Sequence, residues 1–169
     1  MKITKRQLRR IIREEVNRTR GIHRRRLSER VMSQAEIDDV VAMSSPIDFS
    51  GQNLTDMDLS GAELEDANFT GAKLKNVDFS GANLENANFT GADLSGAVFD
   101  GATLIDANLD GADLKDVHAT YADFTRANLQ NANLVRMTFE YSDLKDANLV
   151  GAYIDDADFE NTNLDSAKY

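Results

Sequence analysis

Carboxylates are the chemically active side chains that this 169-residue chain holds in quantity. It contains 29 Asp and Glu, two histidines and no cysteine. His23 lies in a basic stretch and His118 in an acidic one, and neither has a thiol partner. No glycine-rich loop with the spacing of a P-loop or a dinucleotide site occurs. The sequence therefore predicts no catalytic residue, no cofactor and no metal site, and it indicates a protein that is not an enzyme.

The spacing of these carboxylates predicts stacks of like charge, which are interpreted either as a use for negative potential or as tolerance of repulsion in a high dielectric. Acidic residues recur 20 positions apart, as at Asp58 and Asp78. Two further series alternate in sign and are predicted to occupy neighbouring positions of the fold. They are Asp106, Arg126, Asp146 and Asp116, Arg136, Asp156. Each arginine is expected to lie between two carboxylates, either as surface salt bridges of small net effect or as part of a recognition patch.

The charges are set by a repeat of five residues. An apolar residue occupies every fifth position from Phe49 to Tyr169, and Ala119 is the exception among 25 positions. Alanine stands two residues earlier in 17 of the 25 cases. A helix repeats its face every 3.6 residues and a strand every two, so neither element explains the pattern. A short fixed repeat predicts an all-β solenoid, in which each unit packs only against its neighbours.

Two longer periods indicate the length of one turn. Glycine recurs at every tenth position from Gly51 to Gly111, and asparagine at every twentieth position from Asn68 to Asn148. The glycine period is two sides of a four-sided coil and the asparagine period is one full turn, so the glycines are expected at corners that need a positive φ. About six turns, roughly 4.8 Å apart, give a rod of about 29 Å with Leu and Phe inside. Phe69 is predicted to stack on Phe89, and Phe79 on Phe99.

The five-residue unit A-(D/N)-L-x-x, seen at residues 62–66 and 82–86, resembles the pentapeptide-repeat family over residues 47–169. The resemblance implies a right-handed quadrilateral β-helix with four pentapeptides per turn. Family members have many roles, and the acidic repeat is interpreted first as a structural or protein-interaction scaffold that presents an acidic rod surface. Some acidic members mimic duplex DNA and bind DNA gyrase, which gives the alternative function. Those members dimerise through a C-terminal helix, for which this chain has no residues after Tyr169.

The net charge of −10 divides sharply along the chain. Residues 1–30 carry +9, whereas 23 acids and seven bases from Pro46 onward give −16. An apolar stripe through Leu8, Ile11, Ile12 and Val16 predicts a basic amphipathic helical arm over residues 1–31. Its candidate anion-binding residues are Lys5, Arg6, Arg9, Arg10, Arg13, Arg24, Arg25 and Arg26. This arm is interpreted as a docking or targeting leader, a nucleic-acid-binding arm or a helix on an anionic membrane surface.

The ends of the chain add expectations about its source and location. Residues 1–8 resemble the short leaders of many tailed-phage proteins, which implies a phage or bacterial origin. No apolar run approaches the roughly 18 residues of a membrane span, and no apolar segment of a secretory signal follows the basic start. The absence of cysteine fits a reducing compartment, so a cytoplasmic location is predicted.

A cap is predicted between the arm and the solenoid. Ser33 and Glu36 have the spacing of a capping box, so residues 32–46 are expected to form a capping helix and linker over the first turn. Tyr169 ends the chain at a core position without a cap. Because an open β edge invites pairing, an end-to-end homodimer through the last turn is predicted.

Two substitutions within the repeat mark a candidate interface. Tyr121 and Tyr141 stand where glycine is expected and are predicted to stack on an exposed edge, either as interface anchors or as edge cover. Ala119 leaves room in the core, which Met137 and Phe139 are expected to fill, the alternative being a ligand pocket. The candidate interface residues are Tyr121, Tyr141, Arg126, Arg136 and Tyr169.

Overall fold

The computed structural model describes residues 31–42 and 47–169. The predicted basic arm lies outside the described residues except for Val31. The predicted division into residues 1–31, 32–46 and 47–169 therefore stays a prediction, although the repeat is described from residue 47 onward.

Residues 47–169 form a coil in which each turn lies on the one before it. Parallel bridges join residues 20 apart, from Asp48 and Asn68 at the start to Asn148 and Lys168 at the end. The backbone N–H of Phe69 donates to the carbonyl of Asn88 on the next turn, at 2.7 Å. In the described ranges every strand is a single bridge, because the chain bends again after five residues. Residues 47–169 thus make about six turns of 20 residues each.

The chain bends at residues with a positive φ. Every fifth residue from 51 to 166 has a φ between 55° and 76°, and nine of these residues are glycine. The predicted glycine corners are confirmed, and Tyr121 and Tyr141 lie at corners where glycine was expected. The corners midway between these, such as Asp56 and Arg126, were not foreseen. Asp and Asn fill most of them, because their short side chains tolerate the left-handed region better than other non-glycine residues do.

Four corners per turn give the coil four faces, which we name A to D. Each face consists of one four-residue segment and the segments 20, 40 and more residues later. The first segment is 57–60 for face A, 62–65 for face B, 47–50 for face C and 52–55 for face D. Corners take the names of the faces that they join, so corner AB begins at residue 61, BC at 66, CD at 51 and DA at 56. Corners AB and CD lie diagonally opposite each other, as do BC and DA.

The interior is a column of leucine and phenylalanine, as predicted. Leu74, Leu84 and Leu94 are fully buried, and so are the phenylalanines between them. The rings of Phe69 and Phe89 stack at 4.8 Å, and those of Phe79 and Phe99 stack at 5.0 Å. Each buried side chain of this size contributes about 1.5–3 kcal/mol, so the stacked column supplies most of the stabilisation.

Phe124 on the next face packs beside the small core residue Ala119. Ala119 interrupts the phenylalanine series of face A, between Phe99 and Phe139. The ring of Phe124 on face B packs edge-on against Phe99 at 6.5 Å and against Phe139 at 5.4 Å. Leucine occupies the positions equivalent to Phe124 on the turns above and below. A larger residue at 124 therefore compensates for a smaller one at 119, which sequence reasoning assigned to Met137 and Phe139.

A short helix lies at the N-terminal end of the coil. Helix α1 comprises Gln34–Val41, and the Glu36 carboxylate accepts hydrogen bonds from the backbone N–H and the hydroxyl of Ser33, both at 2.9 Å. Ile37 is fully buried against the core. The Gln34 side chain accepts from the Asp58 N–H at 2.9 Å and donates to the Asp58 carbonyl at 2.5 Å. One side-chain amide thus replaces the peptide group that a preceding turn would offer to face A.

The last described turn is open. Ile154 is 49% exposed, Leu164 37% and Tyr169 88%, although all three occupy core positions. In the described part of the chain, the N–H groups of Ile154, Phe159 and Leu164 have no hydrogen-bond partner, whereas the equivalent groups on earlier turns are bonded. The last described turn therefore exposes both apolar side chains and backbone donors.

Candidate functional site: an acidic surface around a tyrosine corner

In most pentapeptides the residue before the core position is an Asp or Asn, and its side-chain oxygen, not its charge, accepts a local backbone hydrogen bond. The Oδ1 atom of Asp58 accepts the N–H of Ser60 at 2.9 Å, and the Oδ1 of Asn128 accepts that of Gln130 at 3.3 Å. This turn recurs through the coil, and Asp and Asn form it equally because both carry Oδ1. The fold therefore leaves the choice between Asp and Asn open to function. Sequence reasoning missed this role of the second residue of the repeat.

The charges are divided unequally among the four faces. Within residues 47–169, face A carries six acids and no Lys or Arg, and face B carries six acids and one lysine. Face C carries two acids and one lysine, and face D three acids and three lysines. The acids of face A are Asp58, Asp78, Asp100, Glu140, Asp158 and Glu160, and those of face B are Glu63, Glu65, Glu85, Asp123, Asp143 and Asp165. Faces A and B together hold a net −11, and faces C and D a net −1.

Corner AB, where the two acidic faces meet, carries an exposed aromatic pair. Its residues are Gly61, Gly81, Gly101, Tyr121, Tyr141 and Asn161. The tyrosine rings stack at 5.1 Å with an angle of 10° between their planes, as predicted, and they are 68% and 48% exposed. Both tyrosines have a φ of 57°, which costs a non-glycine residue about 1–3 kcal/mol. Two exposed rings are thus held at backbone positions that glycine would occupy more easily.

A buried serine bridges two backbone groups on either side of Tyr121. At most corners the N–H after the bend donates to the carbonyl three residues earlier, as Ala127 does to Phe124 at 2.9 Å. Here the Ala122 N–H donates instead to Ser142 Oγ at 2.9 Å, and the Ser142 hydroxyl donates to the Ala119 carbonyl. Sequence reasoning missed Ser142, although a hydroxyl at a position where the repeat places alanine is a usable signal.

The two arginines form bidentate pairs at the outer corners of the acidic faces. Arg126 Nε and Nη2 donate to Asp106 at 2.8 and 2.5 Å, and Arg136 donates to both oxygens of Asp116 at 2.7 Å. Each arginine lies between the two carboxylates of its series, as expected, but forms an ion pair with only one of them. Among the described residues, neither Asp146 nor Asp156 forms an ion pair, because each arginine reaches only toward the preceding turn.

The arginine positions also differ from the prediction. They were expected on neighbouring positions, but a separation of half a turn places Arg126 on corner BC and Arg136 on the diagonally opposite corner DA. Both corners adjoin corner AB across one acidic face. The structure therefore brings Tyr121, Tyr141 and the two arginines around faces A and B.

Hydrogen bonds lower the pKa of three carboxyls on this surface. The Arg126 guanidinium lowers the pKa of Asp106, and the Arg136 guanidinium lowers that of Asp116. The hydroxyl and backbone N–H of Ser60 lower the pKa of Asp58. Each carboxylate is stabilised in its charged form by a donor that bonds to it directly.

The remaining predicted site residues lie elsewhere. Tyr169 is on face C at the open end, on the side away from corner AB. The basic arm residues from Lys5 to Arg26 lie outside the described residues. No group of three or more His, Asp or Glu in residues 31–42 and 47–169 is arranged to hold a metal ion. Within the same ranges, no helix is long and apolar enough to cross a membrane.

The repeat matches a known family. The sequence profile described as pentapeptide repeats matches eight copies, at residues 47–81, 78–116, 107–146, 120–153 and 142–168. No curated protein matches the chain significantly. The match supports a right-handed β-helix solenoid for the region that it covers.

Several solved structures are similar to the chain. A pentapeptide repeat protein of the Arabidopsis thaliana thylakoid lumen is 29% identical over 58% of this chain and 65% of its own, with a TM-score of 0.44. Rfr23 from the cyanobacterium Cyanothece 51142 is 34% identical over 60% of this chain and 63% of its own, with a TM-score of 0.35. The plasmid-mediated fluoroquinolone resistance protein QnrB1 is 21% identical over 72% and 83%, with a TM-score of 0.38. The first two matches span slightly less than two thirds of those relatives.

Proposed function

We propose, since the chain belongs to the pentapeptide-repeat family, that it is a non-enzymatic protein-interaction scaffold that presents faces A and B to a basic protein partner. The observation that carries this proposal is the unequal charge, a net −11 on faces A and B against −1 on faces C and D. Because Asp and Asn form the same turn, the backbone does not require this difference. A partner with a positive surface would gain affinity and association rate from it.

The tyrosine corner supports the same surface. Exposed aromatic residues are common anchors at interfaces, and Tyr121 and Tyr141 project at the edge where the acidic faces meet. Arg126 and Arg136 lie on the outer corners of those faces, where their pairs with Asp106 and Asp116 neutralise two of the carboxylates. Residues 1–31 remain a proposed basic arm, and the cytoplasmic location stays a prediction.

Paired aspartate-to-asparagine variants test this proposal. Asp58, Asp78 and Asp123 lie on faces A and B, and Asp48, Asp93 and Asp113 lie on faces C and D. All six accept the N–H two residues later, so Asn preserves the turn in both sets. The A/B triple is expected to weaken binding of an oligo-arginine peptide by about tenfold, since exposed charges have small individual effects. Equal weakening by the C/D triple would count against the proposal.

The alternative function is a duplex-DNA mimic that binds DNA gyrase. Stacked carboxylates such as Asp123 and Asp143 favour it, because charges repeated at the spacing of the turns can stand in for phosphates. The charge lies on one side, which favours a partner that docks on faces A and B over one that encloses the rod. A supercoiling assay separates the two: inhibition of gyrase by the full chain supports the mimic, and unchanged supercoiling supports the scaffold.

We also propose that a second copy covers the open turn, giving an end-to-end homodimer. The exposed core residues Ile154 and Leu164 and the unpaired N–H groups of the described last turn support this contact. Light scattering at increasing concentration tests it. A mass that stays monomeric at high micromolar concentration would exclude it, and Leu164→Asp is expected to shift a dimer toward the monomer.

A further inference from the structure

Corner AB has a stacking position next to Tyr121 that no described residue occupies. Tyr141 covers one face of the Tyr121 ring at 5.1 Å, close to the roughly 4.8 Å between turns. The position on the other side belongs to Gly101, which has no side chain. A Cβ placed there would meet no atom of residues 31–42 or 47–169 within 4 Å, and the same holds for Gly81 and Gly61. A planar group from outside the coil can therefore continue the tyrosine stack over Gly101.

The surroundings of this position favour a guanidinium. Asp58, Asp78 and Asp100 flank the glycine part of corner AB on face A, and Glu63, Glu65 and Glu85 flank it on face B. Neither face carries a Lys or Arg between residues 57 and 106. Arginine stacks on aromatic rings and pairs with carboxylates through its planar fork, whereas lysine is a hydrated point charge. A basic segment that runs along this edge would thus be held best by arginine.

The chain itself carries such a segment. Residues 1–30 contain ten arginines and two lysines with a net charge of +9. They join the described residues at Val31, which pairs with Asn53 on the first turn, while Gln34 contacts Asp58 on face A. Thirty residues can span roughly 100 Å when extended, so length does not prevent them from following a rod of about 29 Å. The tether gives the segment a high effective concentration at this surface.

We propose that residues 1–30 dock on the glycine part of corner AB of their own chain, with an arginine guanidinium stacked on Tyr121 over Gly101. The docked segment occupies the surface that an external basic partner needs, so the contact is autoinhibitory. This inference rests on the proposed function, because it assigns a competing occupant to the same surface. Salt releases the segment, since the Debye length falls to about 3 Å at 1 M.

A spin label on the arm of the full chain tests the contact. The protein has no cysteine, so Thr19→Cys, between Arg18 and Arg20, provides a single attachment site. The amide signals of Gly61, Gly81 and Gly101 are expected to broaden at low salt and to recover at 1 M salt. Glycines of the opposite corner, Gly51, Gly71, Gly91 and Gly111, are an internal control and are expected to broaden less. Equal broadening at the two corners, or none, would overturn the proposal.

Two further measurements fix the occupant and the contact. In the first, chain that carries the spin label but no ¹⁵N is mixed with ¹⁵N chain that carries no spin label. If the corner AB signals broaden as much in this mixture as in the doubly labelled chain, docking within one chain is overturned and the contact is assigned to a second copy. Tyr121→Gly/Tyr141→Gly suits the local φ and is expected to restore the signals of Gly81 and Gly101. Their continued broadening would overturn guanidinium stacking.

An oligo-arginine peptide separates this inference from the proposed function. If the peptide shifts the glycine signals of corner AB while the spin label has no effect there, the surface binds basic chains but the arm does not occupy it. If neither has an effect, both proposals fail. If the arm does occupy it, the peptide is expected to bind more tightly once arm arginines are neutralised by Arg24→Gln, Arg25→Gln and Arg26→Gln. Unchanged affinity would contradict autoinhibition.

Discussion

Faces A and B and faces C and D have the same backbone but differ in charge and in regularity. Both pairs are built from the same turn around Oδ1 and from the same stacking of one turn on the next. Corner CD is glycine or asparagine throughout, whereas corner AB changes to Tyr121 and Tyr141. Ala119, Phe124 and Ser142 lie on faces A and B, next to these tyrosines. These departures from the repeat lie close to the edge where the acidic faces meet.

Substitutions in the core beneath corner AB are expected to change the free energy of unfolding more than any other test of the difference between the faces. Phe124→Leu is expected to destabilise the chain by about 2 kcal/mol, because it reopens the gap at Ala119. Ala119→Leu alone overfills the site and costs about 1–3 kcal/mol. The double variant restores leucine at both positions and is expected to cost less than the sum. Urea unfolding measures this coupling.

Phe89→Leu on face C is the control for that cycle. It removes the same atoms from a regular stack, so Ala119→Leu is expected not to rescue it. Additive effects for Ala119→Leu and Phe124→Leu would show that the two residues do not compensate for each other.

Variants of Gln34 test whether the backbone groups of the first turn are covered differently on faces A and D. On face D the backbone N–H of Met32 donates to Asn53, whereas on face A the Gln34 side chain substitutes for the backbone. Gln34→Leu leaves the N–H and carbonyl of Asp58 without these partners and is expected to cost about 1–3 kcal/mol. Gln34→Glu keeps an acceptor for the N–H and is expected to cost less. Thermal unfolding that ranks the two variants in the opposite order would contradict this role of Gln34.

Replacing the tyrosines makes corner AB resemble corner CD. In Tyr121→Gly/Tyr141→Gly, relief of the positive φ, about 1–3 kcal/mol per residue, opposes the loss of a ring pair worth about 0.5–1.5 kcal/mol. Stability is expected to be retained or slightly increased, while affinity for oligo-arginine falls. Asn131→Gly, at corner CD, is the control and is expected to leave affinity unchanged. A loss of affinity that matches a loss of folded protein would contradict a binding role.

The arginine pairs are expected to give the smallest effect, which appears in acid. The guanidinium of Arg126 lowers the pKa of Asp106 below its ordinary value of 3.8. A carboxyl with a lowered folded pKa stabilises the fold above its unfolded pKa, and this contribution is lost as the pH falls through the folded value. Arg126→Asn is expected to raise the pKa of Asp106, followed by NMR titration, while that of Asp116 stays low. An unchanged Asp106 would show that the pair does not persist in solution.

Much of the fold could be predicted from the sequence, because each turn repeats the physical problem of the one before it. The period of five identified the core, and the glycine period of ten identified two of the four corners. Corners BC and DA were missed because Asp56 or Arg126 at a positive φ has no mark of its own in the sequence. Phe124 was not considered beside Ala119 because it lies on another face, and only the packing places its ring against Phe99 and Phe139.

The candidate site was predicted less completely, since it depends on which side of the coil each residue faces. The tyrosine stack followed directly from the separation of Tyr121 and Tyr141 by one full turn. The unequal charge did not, because a total charge of −10 for the chain says nothing about faces. Assigning residues to faces required both the length of the turn and the position of its corners.

The central claim is that faces A and B, and not faces C and D, receive a basic partner. Titration of the ¹⁵N-labelled full chain with oligo-arginine tests it most directly, because glycine amides report on two opposite corners in one spectrum. We expect the signals of Gly61, Gly81 and Gly101 to shift with peptide concentration while those of Gly71, Gly91 and Gly111 stay in place. Equal shifts at both corners, or larger shifts at corner CD, would contradict the account.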